Sequence, residues 1–230
     1  MSHQKWQLLL HTIGTISFCY SFAILPSLGR NIDLLFEFTH LTIIGLLFSL
    51  VAFVFALIYD VFSKFGKLKT ISFFKVISLI KNCFMIISVP LEGLISLMYW
   101  SIIIYDERLL LEPGKPRLPF LIDLGFHLFP ALYLWIDFLF FTKEFRKSHS
   151  HVFYLLAFAL SYAVWIQLCY FKYGAWPYPI LGKLEDSHRI IFYFACFVLC
   201  TGIYHIGAFI HSIFNNPQTT LTNSKKQKIL

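Results

Sequence analysis

The sequence predicts an all-α fold: a polytopic bundle of about six transmembrane helices with both termini in the cytosol. Three observations predict it. Of the residues, 58% are hydrophobic and only 13% charged, whereas a soluble domain carries roughly a quarter charged residues. Apolar runs near twenty residues long recur along the chain, in keeping with a mean hydropathy of +0.70. The basic residues sit in short clusters between those runs and form no stripe. The net charge of +7 therefore reflects membrane topology and argues against a nucleic-acid partner.

A single membrane domain over residues 1–214 accommodates six spans. The first, 6–25, follows only Lys5, exceeds a signal-peptide core in length and lacks a small-x-small cleavage site, so it remains as an uncleaved span. Pro26, Gly29 and Arg30 turn the chain. The second, 38–59, is the charge-free run FTHLTIIGLLFSLVAFVFALIY between Glu37 and Asp60, and at ~1.5 Å per residue it reaches ~33 Å, enough to cross a hydrocarbon core. Lys64, Lys67, Lys69, Lys75 and Lys81 then mark a segment whose apolar residues suit the membrane surface. The third span, 82–105, is interrupted by Pro90 and Glu92 and ends at Asp106, Glu107 and Arg108. Beyond Pro113, Pro116 and Pro119 comes the fourth, 123–142, with Asp137 inside it. Lys143, Arg146 and Lys147 precede the fifth, 152–171, and the sixth, 190–214. Residues 215–230 form a polar cytosolic tail. With the N-terminus inside, twelve of the nineteen basic residues fall on the cytosolic side. The terminal KQKIL resembles a dilysine retrieval signal, which implies residence in the endoplasmic reticulum membrane.

All five cysteines lie within apolar runs, which points to buried thiols and not to disulfides. Cys196 and Cys200 share a helix face but lack a matching second pair, so neither a metal nor a cofactor is expected. Ionisable groups inside spans are the suspects for function: His11, Glu92, His127, Asp137, His205 and His211. Asp137 and His211, near span ends, suit helix pairing or reaching the surface. Glu92 lies near mid-membrane, where a structural role competes with a functional one.

Thr42 and His127 stand out because their depths match. If Glu37 and Asp123 mark one interface, Thr42 lies ~7.5 Å and His127 ~6 Å below it at helical rise. A hydroxyl within reach of an imidazole is the minimum for nucleophilic catalysis. Spacing alone favours a structural role for both, since a threonine bonds its own i−4 carbonyl and a histidine bridges helices. His40 faces away from Thr42, being two residues from it on a helix. Asp137, ~15 Å further along the same span as His127, and the deeper Glu92 leave a dyad without an acid.

Leu41 with Thr42 and the later Asp60, Trp100 with Tyr105 and Asp106, His127 with Asp137, Trp165, GAWPYP (Gly174, Trp176, Tyr178, Pro179), and Arg189 followed by Ile190, Ile191 and Phe192 together resemble the androgen-induced gene 1 family of multi-span membrane proteins. Leu124 and Pro130 stand where that family has more polar residues. The resemblance implies a threonine hydrolase that cleaves fatty acid esters of hydroxy fatty acids, with Thr42 and His127 as its catalytic residues and no cofactor. Its partners would be membrane lipids and a long-chain lipid ester. The alternative is a non-enzymatic bundle that binds lipids or proteins. A transporter using Glu92 and Asp137 as a proton path lacks the inverted repeat such proteins show.

Overall fold

The computed structural model describes residues 3–28, 34–65, 71–111, 114, 117–143 and 145–215. Gly29, Arg30, Lys67, Lys69, Pro113, Pro116 and the tail from 216 to 230 with its KQKIL lie outside them. Among the described residues every regular element is helical. Among them five helices are long and apolar enough to cross a membrane, and the count is six if the bent pair Phe120–His127 and Phe129–Phe141 is taken as one span.

Helix α1 covers His3–Ile24 and runs into a 3-10 turn at Leu25–Leu28. A short α2, Leu34–Glu37, leads through a tight turn into α3, Leu41–Phe65. Helix α4, Ile71–Asp106, is continuous over 36 residues. The lysine-bearing stretch expected to lie along the surface is thus partly the first turns of α4. The reason is visible at Lys81, whose Nζ turns inward to Asp137 Oδ2 at 3.2 Å. Pro90 is tolerated inside α4, although its ring removes one intrahelical donor. The carbonyl just before it, that of Val89, accepts from Trp135 Nε1 at 3.1 Å.

The fourth span is broken. Helix α5, Phe120–His127, and α6, Phe129–Ile136, meet at Leu128 with a bend of 44°. Pro130 at the start of α6 has no N–H to continue the α5 ladder, which is why the axis changes there. A π-helical turn, Asp137–Phe141, closes the span with Thr142 N–H donating to Asp137 O at 2.9 Å. Helix α7, His149–Tyr173, starts on Ser148, whose Oγ accepts from Ser150 N–H, and stops at Gly174. Gly174 has φ 68°, a left-handed conformation that a residue without Cβ adopts freely at a helix end. A short α8, Pro179–Lys183, and a long α9, Asp186–Asn215, complete the chain.

Helix α3 packs most extensively on α4 and also on α1. The close approach of α3 to α4 depends on Gly45: a Cβ there would stand 2.7 Å from both Glu92 Oε1 and Ile95 Cδ1. Glu92 is buried at this contact and accepts from Ser49 Oγ at 3.1 Å. At the far end of the bundle His11 of α1 lies between two carboxylates. Its Nδ1 is 2.6 Å from Asp60 Oδ2 and its Nε2 2.9 Å from Asp137 Oδ1. Carboxylates only accept, so both ring nitrogens donate and the ring carries a positive charge. With Lys81 the cluster sums to zero charge, the condition under which ions are buried at tolerable cost. Asp137 therefore pairs helices. Cys19 and Cys83 depart from the expected burial, being exposed on the outer faces of α1 and α4.

His11→Leu would leave Asp60 buried without its cation and Asp137 with Lys81 alone. A loss of about 3–5 kcal/mol is expected, read as a lowered melting temperature of the detergent-solubilised protein.

Candidate active site

The first turn of α3 is held by side chains from other helices. In the turn before it, Thr39 N–H and His40 N–H donate to the carbonyls of Phe36 and Glu37. The exposed carbonyls of that turn are met from α7: Trp165 Nε1 donates to Phe38 O and Tyr162 Oη to Thr39 O, both at 2.9 Å. The N–H of Leu41, one of the orphan donors of a helix start, donates to Tyr178 Oη at 2.9 Å. Tyr178 is also in polar contact with the amide and hydroxyl of Thr42. Burial pushes the Tyr178 phenol up from its ordinary pKa, so it is neutral and keeps its proton.

Thr42 opens on a cavity of about 160 Å³ lined by α4, α7, α8 and α9. Its wall is apolar apart from Thr42, two thiols and four phenols, of which Tyr178 contacts Thr42 and Tyr162, and Tyr162 lies near Tyr193. The outer loop is fastened by Arg189, whose guanidinium lies 4.2 Å from the Trp176 ring and donates to Leu181 O and Leu184 O. Trp176 in turn stacks on Tyr170 at 4.3 Å. The GAWPYP segment thus carries Tyr178 to the start of α3.

His127 is the last residue of α5, a helix that touches α3. Its ring lies flat on Tyr99, with centroids 3.4 Å apart and planes within 3°. Nδ1 is 2.7 Å from Asp123 Oδ1, one helical turn back. Tyr99 Oη donates to the same oxygen at 2.6 Å. Since that carboxylate can only accept, Nδ1 carries a proton, and in the neutral form of the ring the lone pair lies on Nε2. Thr42 and Tyr99 line the same cavity, and His127 stacks on Tyr99 without being part of the cavity wall.

Glu37 and Asp123, the reference points for the depth of Thr42 and His127, are both buried among the helices. One expectation is corrected here. His127 does have an acid, since Asp123 occupies the orienting position that Asp137 and Glu92 are too far to fill. The i, i+4 spacing of Asp123 and His127 was the available signal. Tyr99, Tyr162 and Tyr193 had none, because their placement depends on how α4, α7 and α9 pack.

The profile of the family described as FAR-17a/AIG1-like protein matches residues 6–212. A UPF0641 membrane protein of Schizosaccharomyces pombe is 31% identical over 214 residues, 88% of this chain and 89% of that one. The mouse androgen-dependent TFPI-regulating protein is 28% identical over 203 residues, 80% of this chain and 82% of its own. A UPF0641 membrane protein of Saccharomyces cerevisiae is 27% identical over 116 residues, covering 46% of this chain and 48% of itself. No solved structure matches.

Replacing Asp123 by Ala would strip the acceptor from both His127 and Tyr99. A thermal melt should register a loss of about 1–3 kcal/mol for these buried donors, whatever chemistry the site performs.

Proposed function

The chain belongs to the FAR-17a/AIG1-like family of multi-pass membrane proteins, and on that premise we propose that it is an intramembrane threonine hydrolase of lipid esters. The class of ester that the family resemblance points to is a fatty acid ester of a hydroxy fatty acid. The observation that supports the reading is the hydroxyl of Thr42 on the wall of an apolar cavity that also includes Tyr99, the ring on which the Asp123-bound His127 stacks.

In this reading Thr42 Oγ1 attacks the ester carbonyl while His127 Nε2 takes its proton, and a C–O bond forms as the carbonyl π pair moves onto oxygen. Collapse of the tetrahedral species expels the alkoxide, which His127 protonates. Water, deprotonated by His127, then releases the acid from Thr42 by the same sequence. Asp123 holds the imidazole in the tautomer that leaves Nε2 basic and balances the positive ring that forms. The amides of Leu41 and Thr42 converge on the phenol oxygen of Tyr178, and a carbonyl oxygen that takes that position gains two donors beside the attacking hydroxyl. The apolar arms of the substrate reach the site from the lipid phase. Residence in the endoplasmic reticulum membrane, with the Thr42 end on the luminal side, completes the reading.

An alkyl fluorophosphonate probe tests it. Labelling of the membrane-embedded protein should vanish in Thr42→Ala and fall steeply in His127→Ala, with both variants accumulating at wild-type levels. Asp123→Asn should keep the fold and lose on the order of 10³-fold in ester turnover, since it favours the wrong tautomer. Labelling that persists in Thr42→Ala moves the nucleophile elsewhere, Ser49 included. Failure of Thr42→Ala and His127→Ala to accumulate favours the reading in which the two residues only brace the bundle.

A further inference from the structure

The cavity at Thr42 has a polar head and an apolar shaft, and the two are distributed in the same way on separate helices. On α7, Tyr162 faces the head and Leu155, seven residues away, lines the far end; on α9, Tyr193 and Cys200 repeat that interval. Leu94 of α4, also in the wall, packs with Leu155 and Cys200 in one buried cluster. Seven residues of helix span ~10 Å. An extended chain advances a third of an extended residue per bond, ~1.2 Å, so such a shaft takes about eight bonds. The volume of about 160 Å³ agrees, being close to the ~150 Å³ engineered cavity that holds a six-carbon ring.

The head contains an unused donor. Tyr193 Oη is buried and has no hydrogen-bond partner among the described residues. It lies near Tyr162, which itself reaches the start of α3. A buried hydroxyl left unpaired costs free energy, and a ligand oxygen at the head of the cavity relieves it. Below the phenols the wall offers a ligand no charge and only thiols as polar groups.

We propose that this cavity seats one linear acyl chain of about eight carbons, its carbonyl oxygen at Tyr193 and the α3 N-terminus and its methyl end stopped by Leu94, Leu155 and Cys200. The assignment deepens the hydrolase reading and rests on it for the identity of the ester. In an ester with two apolar arms only the arm on the carbonyl side enters, and the alcohol side stays outside. Leu155 and Cys200 then determine chain length, and Tyr193 recognises the acyl oxygen.

The experiment uses the full-length protein in phosphatidylcholine nanodiscs. Saturated fatty acids of graded length, from about four to eighteen carbons around the ~10 Å shaft, displace a bound fluorescent fatty acid, and 4-methylumbelliferyl esters of the same acids are offered in parallel. Displacement should be strongest near eight carbons. Leu155→Ala should move the optimum up by about two carbons, because the floor recedes by most of a side chain. Ala159→Phe, one turn above the floor, should move it down by a similar amount. Tyr193→Phe should weaken every length about equally, roughly 5- to 10-fold for one hydrogen bond. Displacement that ignores chain length, or an optimum unmoved in variants with wild-type melting temperatures, overturns the acyl site. A length-dependent optimum with no ester turnover supports the site and refutes the hydrolase. Ester turnover whose length profile is the same in all variants does the reverse.

Discussion

A helix that begins inside an apolar bundle must have its first N–H groups satisfied by something other than water. In this protein that need is met at the start of α3 by phenols. Tyr178 takes the Leu41 N–H, and Tyr162 and Trp165 take the carbonyls of the preceding turn. These bonds draw α7 and the outer loop onto α3 and fix where Thr42 stands. The cavity exists because α4, α7 and α9 are held around that point without filling it. Take the phenols away and the start of α3 is left with an unmet N–H and an unmet carbonyl.

The two ends of the bundle solve the same problem differently. At one end neutral hydroxyls share protons with backbone groups, and a single carboxylate, Asp123, serves two donors. At the other, full charges are paired until they cancel, with His11 and Lys81 against Asp60 and Asp137. The first arrangement leaves a hydroxyl and an imidazole adaptable. The second leaves nothing to adapt, which suits a fastening that joins α1, α3, α4 and the end of the fourth span.

The all-helical class and the number of long apolar runs were legible in the sequence, because hydropathy over twenty residues does not depend on tertiary contacts. The break at Leu128 was foreshadowed by Pro130 but not placed, since prolines such as Pro90 sit in an unbroken helix. Thr42 was picked out by its depth and by family resemblance, and His127 likewise. The partner of His127 was within reach of the same pattern and was passed over because Asp123 looked like a surface residue. Its burial depends on Tyr99, which lies on α4. Three phenols from three elements around Thr42 could not be read from any linear interval.

The broken fourth span has a mechanical consequence. His127 and Asp123 ride on the segment before the break, and Asp137 on the segment after it. A straight rod would transmit any tilt at one end to the other, so widening the Thr42 mouth would strain the ion cluster at the opposite pole. The joint at Leu128 uncouples them. The upper half of the rod can lean while the lower half stays clamped, so that a yielding entrance and a rigid base share one helix bundle.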